Sequence, residues 1–211
     1  MMRKKSTHDF EKFLELAKSR RTSRAYQDKA VSREAITNIL EAARWAPSAA
    51  NTQPWEFIVI SNAEIKLNIQ QAFLNEAEEH EDRRYRKVTE QQATLLLEPV
   101  LIAICGKPES RERFVNKNEL ADKSQDELYL LSMGAMIQNI LLAATALELD
   151  STWIARLARI PEVSEILQLP KNRELVAFVA LGSSTQTLKQ SPGRRVPVME
   201  LTYLDSYGQR Y

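Results

Sequence analysis

Glycine, histidine and cysteine are scarce in this chain of 211 residues, which has five glycines, two histidines and one cysteine. No two glycines have the spacing of G-x-G-x-x-G or of a P-loop, so neither glycine-rich phosphate cradle is present. His8 and His80 lie in charged helical sequence, which argues against a histidine metal site and against a Ser-His-Asp triad. A lone cysteine cannot form an intramolecular disulfide. We therefore expect an inert buried thiol at Cys105 and a cytoplasmic protein.

Neither sign of charge dominates, because 29 basic side chains face 28 acidic ones and the net charge is +1. This balance argues against nucleic-acid binding, for which a basic excess is expected. The basic residues 1–5 are followed by polar sequence, so we expect no signal peptide. The uncharged run 129–147 is long enough to span a membrane. Its polar residues and charged flanks instead favour a buried central helix that a second subunit helps to cover, and we expect no membrane partner.

The hydrophobic pattern predicts one α+β domain over residues 1–211, because no repeat or linker divides the chain. Helices are predicted near 10–20, from the N-cap Ser32 to Pro47, after the N-cap Asn62, from the capping box Ser124-x-x-Glu127 to 147, and over 161–167. Strands are predicted at 55–61, 99–105, 151–156, 174–181 and 198–203.

The stretch 75–92 is dense in charge of both signs. A solvated helix with ion pairs is the simpler interpretation. A mobile cover over a site is the alternative, and Tyr85 and Arg86 are its best candidates for substrate contact.

Arginines are grouped near both ends of the chain, Arg20, Arg21 and Arg24 near the first and Arg194 and Arg195 near the second. A guanidinium group pairs bidentately with phosphate, so the two groups together could hold a dianion. Judged by charge alone, solvated surface arginines are the more common explanation.

Several motifs follow one another in a known order. R-R-T-S-R-A-Y at 20–26 and L-E-A-A-R-W-A-P-S-A-A-N-T-Q-P-W-E-F-I-V-I at 40–60 resemble the FMN-dependent nitroreductase family. Weaker matches follow at 138–147 (Q-N-I-L-L-A-A-T-A-L), 152–155 (T-W-I-A), 179–182 (V-A-L-G) and 195–197 (R-V-P). The resemblance implies a central, mostly antiparallel sheet flanked by helices. It also implies a homodimer with the long helix at its interface and a C-terminal arm that extends onto the partner.

The resemblance also assigns site residues around FMN at the subunit interface. Arg20, Arg21 and Thr22 correspond to the phosphate and ribityl contacts, and Arg195, with Arg194 beside it, to a C-terminal phosphate contact. Arg24 corresponds to a cation near the N1–C2=O edge of the flavin. The segment Trp153, Ile154 and Ala155, with Arg156 beyond it, corresponds to the surroundings of flavin N5. The partner subunit is expected to contribute four further residues, namely Pro47, Ser48, Ala49 and Asn51.

The implied activity is a ping-pong transfer from NADH or NADPH through FMN to a small electron-poor acceptor such as a nitroaromatic or quinone, with no metal. Reductive dehalogenation, flavin destruction for cobalamin-ligand synthesis, and a non-catalytic flavin-binding or interaction protein stay open. Ala155 stands where a glycine is frequent and Thr22 where serine is usual. Residues 148–150 (E-L-D) replace a segment in which family members often have glycines.

Some of these residues have simpler structural interpretations. Trp55 is expected to be a core or interface anchor, and Gln53 to satisfy turn backbone. Gln138 and Asn139 are expected to bond to neighbouring backbone or to the partner subunit. Trp153 packs either below the flavin ring or in the core.

Overall fold

A four-stranded antiparallel sheet forms the centre of the molecule. A computed structural model describes residues 7–114, 119–155, 160–185 and 195–211 of the chain. The strands are β1 (Trp55–Ile60), β2 (Val100–Gly106), β3 (Asp150–Ile154) and β4 (Glu174–Gly182), in the spatial order β1-β2-β4-β3. Their predicted positions and the antiparallel sheet are confirmed, with ends shifted by one or two residues.

Helices cover both faces of this sheet. They are α1 (Thr7–Ser19), α2 (Arg33–Arg44), α3 (Ala63–Glu79), α4 (Arg83–Thr94), α5 (Glu119–Ala146) and α6 (Pro161–Ile166). One apolar cluster joins the sheet to α3, α4 and α6, with Phe73 and Phe178 at its centre. The second cluster joins the sheet to α2 and α5 around Ile39 and Met136. The two clusters lie between the sheet and the helices on either side of it, which agrees with the expected α+β fold with a central sheet flanked by helices.

Side-chain caps begin three of the helices, two of them at the N-caps that the sequence predicts. The Ser32 hydroxyl accepts the Ala35 N–H at 3.1 Å, and Asn62 Oδ1 accepts the Ile65 N–H at 3.0 Å. Asp82 caps α4 by accepting the Arg84 and Tyr85 N–H groups. This third cap divides the charged stretch 75–92 into the end of α3 and most of α4, so the stretch is helical but not one helix.

Two predicted boundaries are wrong. α5 begins at Glu119, so Ser124 lies inside the helix and the capping box does not open it. The preceding residues, E-L-A-D-K, contain no helix breaker and continue the helix backwards. The strand predicted at 198–203 is a 3₁₀ turn over Val198–Glu200, followed by an isolated bridge between Tyr203 and Arg210. An alternating pattern needs a neighbouring strand, and the described residues provide none there.

The long helix α5 is a core helix with one open side. By length and composition, residues 124–146 could cross a membrane, and within the described residues no other helix meets that test. Met133, Met136 and Ile140 are buried in the second apolar cluster, whereas Leu131 is 69% exposed. The helix therefore packs on the sheet and leaves an apolar strip uncovered.

Candidate functional site

The first arginine segment lies along the outer edge of β3. Thr22 forms a parallel bridge with Ser151, and the Ser23 N–H donates to the Ser151 carbonyl at 3.4 Å. The Tyr26 hydroxyl lies 2.9 Å from Thr152 Oγ1, which itself donates to the Ser23 carbonyl. These contacts fix the backbone that carries Arg20, Arg21, Thr22 and Arg24.

Hydroxyl groups hold this segment in place. Ser23 is fully buried, and its Oγ lies 3.1 Å from that of Ser184. Burial raises the pKa of Tyr26 well above its ordinary range, so its hydroxyl stays neutral and can donate a hydrogen bond. A Cβ on Gly182 would lie 2.9 Å from the Tyr26 ring. The glycine of V-A-L-G therefore provides room for the tyrosine that anchors the segment.

Arg24 opens into a recess of about 620 Å³ between the segment and α4. Its other lining residues are Glu90, Gln91, Thr94 and Leu95. A guanidinium, an amide and a hydroxyl supply both donors and an acceptor. Such a set is complementary to a ring edge that carries carbonyl and N–H groups. The volume is in the range of small-ligand sites.

The end of β3 lines a second cavity, of about 740 Å³, together with α5. Trp153 is 42% exposed and lines this cavity with Ala155, Met133 and Gly134. Trp153 is therefore not a fully buried core residue, which was one of the two interpretations of it. Ile154 is 1% exposed and belongs to the core, so only its backbone can reach a ligand. Ala155 is exposed one residue beyond the last ladder pair of β3.

The loop 47–53 has a strained backbone that is fixed from two sides. Ala50, Asn51 and Gln53 have φ values of 46°, 54° and 45°, in the left-handed region that non-glycine residues rarely adopt. The Ala49 N–H donates to the Ser132 hydroxyl of α5 at 3.1 Å, and the Gln53 N–H donates to the Ser48 hydroxyl at 3.0 Å. Backbone strain of this kind concentrates at functional sites. The Asn51 side chain is left on the surface of the loop.

Within one chain, the arginine segment and the loop 47–53, the two parts of the predicted site, lie at opposite ends of the sheet. The loop 47–53 leads into Trp55, which pairs with Gly106 at one end of the sheet. The Thr22–Ser151 bridge lies near the opposite end, where Asp150 pairs with Gly182. The nine residues of β4 join these ends, so they lie about 25 Å apart along the strands.

The remaining predicted arginines lie at the periphery. The Arg21 guanidinium donates to the carbonyls of Lys18 and Arg20 and so ends α1. Arg20 is half-buried, and Arg195 lies in the exposed C-terminal segment. Arg194 and Arg156 lie outside the described residues.

Other sequence interpretations can be compared with the structure directly. Trp55 is 6% exposed and belongs to the core, and Asn139 donates to the Ala42 carbonyl at 3.1 Å, as expected. Cys105 is buried as expected, and burial raises its pKa to about 11, which disfavours the reactive thiolate. Gln53 lies 3.3 Å from Asn51 Oδ1 within the loop. Tyr85 stacks on His80 at 3.8 Å, so its ring is already engaged in local packing.

Sequence reasoning missed Gln91 and Thr94. They are three residues apart on α4 and therefore share a face beside Arg24. One signal in the sequence could have indicated them: at the end of the stretch 75–92, charged side chains give way to uncharged polar ones. Only the tertiary fold shows that this face meets the arginine segment.

The fold and these sites define a class of protein. A model of the nitroreductase family matches residues 17–183, which is most of the chain, and the chain belongs to that family. This confirms the resemblance drawn from the sequence motifs. The α+β nitroreductase-like fold is confirmed with it.

Named relatives and a solved structure agree with this assignment. The chain is 29% identical over 175 residues to the Archaeoglobus fulgidus protein named "Putative NADH dehydrogenase/NAD(P)H nitroreductase", covering 82% of this chain and 85% of that one. It is 27% identical to an iodotyrosine dehalogenase 1 homolog of Caenorhabditis elegans, covering 91% of this chain and 61% of that one. The crystal structure of a nitroreductase with bound FMN from Desulfitobacterium hafniense is similar with a TM-score of 0.72 and 25% identity, covering 91% of this chain and 97% of that chain.

Proposed function

We propose that this protein is a homodimeric FMN-dependent NAD(P)H oxidoreductase that reduces a small electron-poor acceptor such as a nitroaromatic or a quinone. The observation that carries the proposal is the arginine segment fixed along β3, with Arg24 opening into a recess of matching polarity. Membership of the nitroreductase family and the FMN in a solved relative support it.

The residues around the recess have distinct roles in this proposal. Arg20 and Thr22, with Arg195, bind the phosphate and ribityl chain, because guanidinium and hydroxyl groups satisfy phosphate oxygens. Arg24 and Gln91 bind the polar edge of the flavin ring. Arg21 donates to the phosphate in addition to the two backbone carbonyls that it already contacts.

The other side of the site comes from β3 and from the second subunit. Trp153 and the backbone of Ile154 and Ala155 support the flavin ring where β3 ends. The loop containing Pro47, Ser48, Ala49 and Asn51 is supplied by the partner subunit, since within one chain it lies about 25 Å from the Thr22 bridge, judged by the strand rise.

Exposed apolar side chains support the homodimer. No residue of α1 is buried, although Phe10 is 62% and Phe13 is 57% exposed. The C-terminal segment 195–211 exposes Val198, Leu201 and Tyr207, with Tyr207 at 90%. Exposed large apolar side chains on these two elements are expected where a partner covers them. A second copy that receives α1 and the tail would cover them.

Bound FMN would supply two-electron transfer chemistry, accepting a hydride from NAD(P)H and delivering electrons to the second substrate. The chain contributes positioning and charge. Arg24 holds a positive charge at the ring edge, where it stabilises negative charge that develops there. The buried hydroxyl of Ser23 and the neutral, half-buried hydroxyl of Tyr26 keep the backbone of Arg24 fixed.

The test is spectroscopic. Purified protein should show a flavin absorption spectrum that NADH or NADPH bleaches without oxygen, and a nitroaromatic or quinone should restore it. Protein that takes up no FMN would contradict the proposal. Bound flavin that neither donor reduces would favour a non-catalytic flavin-binding protein instead.

Substitutions test the phosphate contacts separately. Arg20→Ala and Arg195→Ala should each raise the FMN dissociation constant about tenfold or more, the value of a charge-assisted contact. Arg33→Ala, at an exposed position on α2, is the matched control and should leave it unchanged. Equal FMN affinity in all three variants would refute the phosphate assignment.

Reductive dehalogenation is a second candidate, favoured by the similarity to the dehalogenase homolog. It uses the same flavin site with a different acceptor. Turnover of 3-iodotyrosine with a rate above that for nitroaromatics and quinones would select it.

A further inference from the structure

Gly134 lies inside the long helix α5 at a position where the packing of the described residues does not require a glycine. Its φ lies outside the left-handed region, so its backbone conformation is open to any residue. A Cβ built on it would meet no heavy atom of the described residues within 4 Å. Glycine weakens the interior of a helix relative to alanine, because it loses more conformational freedom on folding. The open space beside Gly134 therefore points to a group that is not part of this packing.

This space belongs to the cavity of about 740 Å³ between α5 and the start of β4. On α5 the lining residues follow one stripe, from Asp126 through Leu130 and Gly134 to Ile137. This stripe is about 16 Å long at the rise of an α-helix. Trp153, near the end of β3, lines the same cavity. The cavity is therefore elongated, and its volume is in the range of sites for small organic ligands.

The end of the cavity near Gly134 is apolar. Met133 and Ile137 are buried there, and Trp153 is 42% exposed. An indole ring packs favourably against another planar ring. A charged group would lose its hydration among these side chains. This end therefore fits a flat apolar ring.

The opposite end of the cavity is ionic, but its charges are already paired. Arg111 lies 2.6 Å from both the Asp126 and the Glu174 carboxylates. Arg173, the other cation of the lining, lies 2.6 Å from Glu56. An anionic ligand would be repelled by these carboxylates as well as attracted by the two guanidinium groups. The lining therefore favours a ligand without charge.

We propose that this cavity is the acceptor side of the flavin site, that it takes an uncharged fused-ring acceptor such as a naphthoquinone, and that Gly134 sets the size of the ring it admits. The inference rests on the proposed function, which places the flavin ring at the end of β3 beside Trp153. An acceptor whose first ring lies against the flavin would extend its second ring into the space beside Gly134. An acceptor with a single ring would leave that space unused.

Binding of fused rings that do not accept electrons tests the proposal directly. In FMN-loaded protein, calorimetry should give a dissociation constant for 2-naphthol about tenfold below that for phenol, the value of burying a second ring. Gly134→Leu puts a side chain into the space and should remove most of this difference, whereas Gly134→Ala should remove only part of it. Activity should agree, with kcat/KM for 1,4-naphthoquinone relative to p-benzoquinone falling by the same factor in Gly134→Leu.

Ser124→Leu is the matched control variant. Ser124 is exposed on the same helix and lies two residues from Asp126, so it is off the stripe that lines the cavity. The change adds a leucine to α5 outside the cavity and should leave the preference for 2-naphthol unchanged. Both leucine variants should fold, because one position is exposed and the other has open space beside it, and circular dichroism can verify this.

Four results would overturn the proposal. The first is binding of 2-naphthol no tighter than that of phenol by the wild type. The second is an unchanged preference for 2-naphthol in Gly134→Leu, and the third is an equal loss of preference in Ser124→Leu. The fourth is a change of oligomeric state in Gly134→Leu, measured by analytical ultracentrifugation, which would assign the space to a second copy of this chain. Failure of the proposed function is distinguishable, because neither NADH nor NADPH would then reduce the flavin of the wild type, whatever its affinities for the two ligands.

Discussion

Ion pairs join the elements at the end of the sheet where Trp55 pairs with Gly106, whereas hydroxyl groups join them at the opposite end. At the first end, Arg173 bonds to Glu56 at 2.6 Å and to Glu109 at 3.0 Å. Arg111 bonds to Glu174 there, also at 2.6 Å. These side chains are partly exposed, and exposed ion pairs contribute little to stability.

The opposite end is held mainly by hydroxyl groups, together with the Asp150 carboxylate, which accepts the Ser184 N–H at 3.2 Å. Ser23, Tyr26, Thr152 and Ser184 bond to one another there, and all but Tyr26 and Ser184 are fully or almost fully buried. Buried hydrogen bonds are costly to leave unmade. The comparison teaches that hydroxyl and backbone hydrogen bonds do most of the work of attaching the arginine segment to β3.

The largest effect is expected from Gly106→Ala at the charged end. A Cβ there would lie 1.6 Å from the Tyr129 hydroxyl and 3.2 Å from Val176 Cγ2. The buried tyrosine cannot move away easily, because Arg111 stacks on its ring at 3.9 Å. We expect the free energy of unfolding, measured in urea, to fall by about 3 kcal/mol, as for overpacked cores.

Gly134→Ala is the matched control for this variant. A Cβ on Gly134 would meet nothing within 4 Å, and alanine favours the helix by about 0.5–1 kcal/mol. It should therefore be neutral or stabilising. If Gly106→Ala were no less stable than Gly134→Ala, the close approach of Tyr129 would be excluded.

An intermediate effect is expected from Tyr26→Phe at the hydroxyl end. The change removes the contact with Thr152 Oγ1 and should lower the free energy of unfolding by about 1–2 kcal/mol. If the network also positions Arg24, FMN affinity should fall with it. Tyr203→Phe in the exposed C-terminal segment is the control, and an equal loss of FMN affinity there would contradict a specific role for Tyr26.

The smallest effect is expected from Glu56→Gln at the charged end. The hydrogen bond from Arg173 holds the pKa of Glu56 below its ordinary value of 4.5. Its stabilising contribution is therefore present above that value and is lost as the pH falls through the lower folded pKa. Glu56→Gln should therefore lower the free energy of unfolding slightly at neutral pH, leave it nearly unchanged at low pH, and so flatten its dependence on pH in the acid range. If the stability of the variant fell more steeply in acid than that of the wild type, the pKa of Glu56 would be raised by folding and not lowered.

Local chemistry made much of the fold predictable. Ser32 and Asn62 cap helices because their side chains reach a nearby N–H group, which depends on only a few residues of sequence. The buried strands β2 and β4 were marked by continuous apolar runs. By contrast, the start of α5 was not predictable from a cap. Residues 119–123 contain no helix breaker, so the helix begins at Glu119 and passes through Ser124.

The residues of the candidate site that belong to a sequence motif were predictable, whereas those brought together only by the tertiary fold were not. The motif indicated Arg24 and the loop 47–51, but no local pattern placed Gln91 opposite Arg24, since about 65 residues separate them in the chain. The apparent strand at 198–203 failed for a related reason. Alternation indicates a strand only where another strand is available to pair with it.

β3 ends the sheet, so its outer backbone groups could pair with a strand from another molecule. The arginine segment occupies part of that edge through the bridge from Thr22 to Ser151. Residues 152–154 (T-W-I) are the β-branched and aromatic kind that aggregates when an edge is open. The segment that carries Arg20, Arg21 and Arg24 thus also covers part of this edge, and variants that release it should scatter light before they lose their helices.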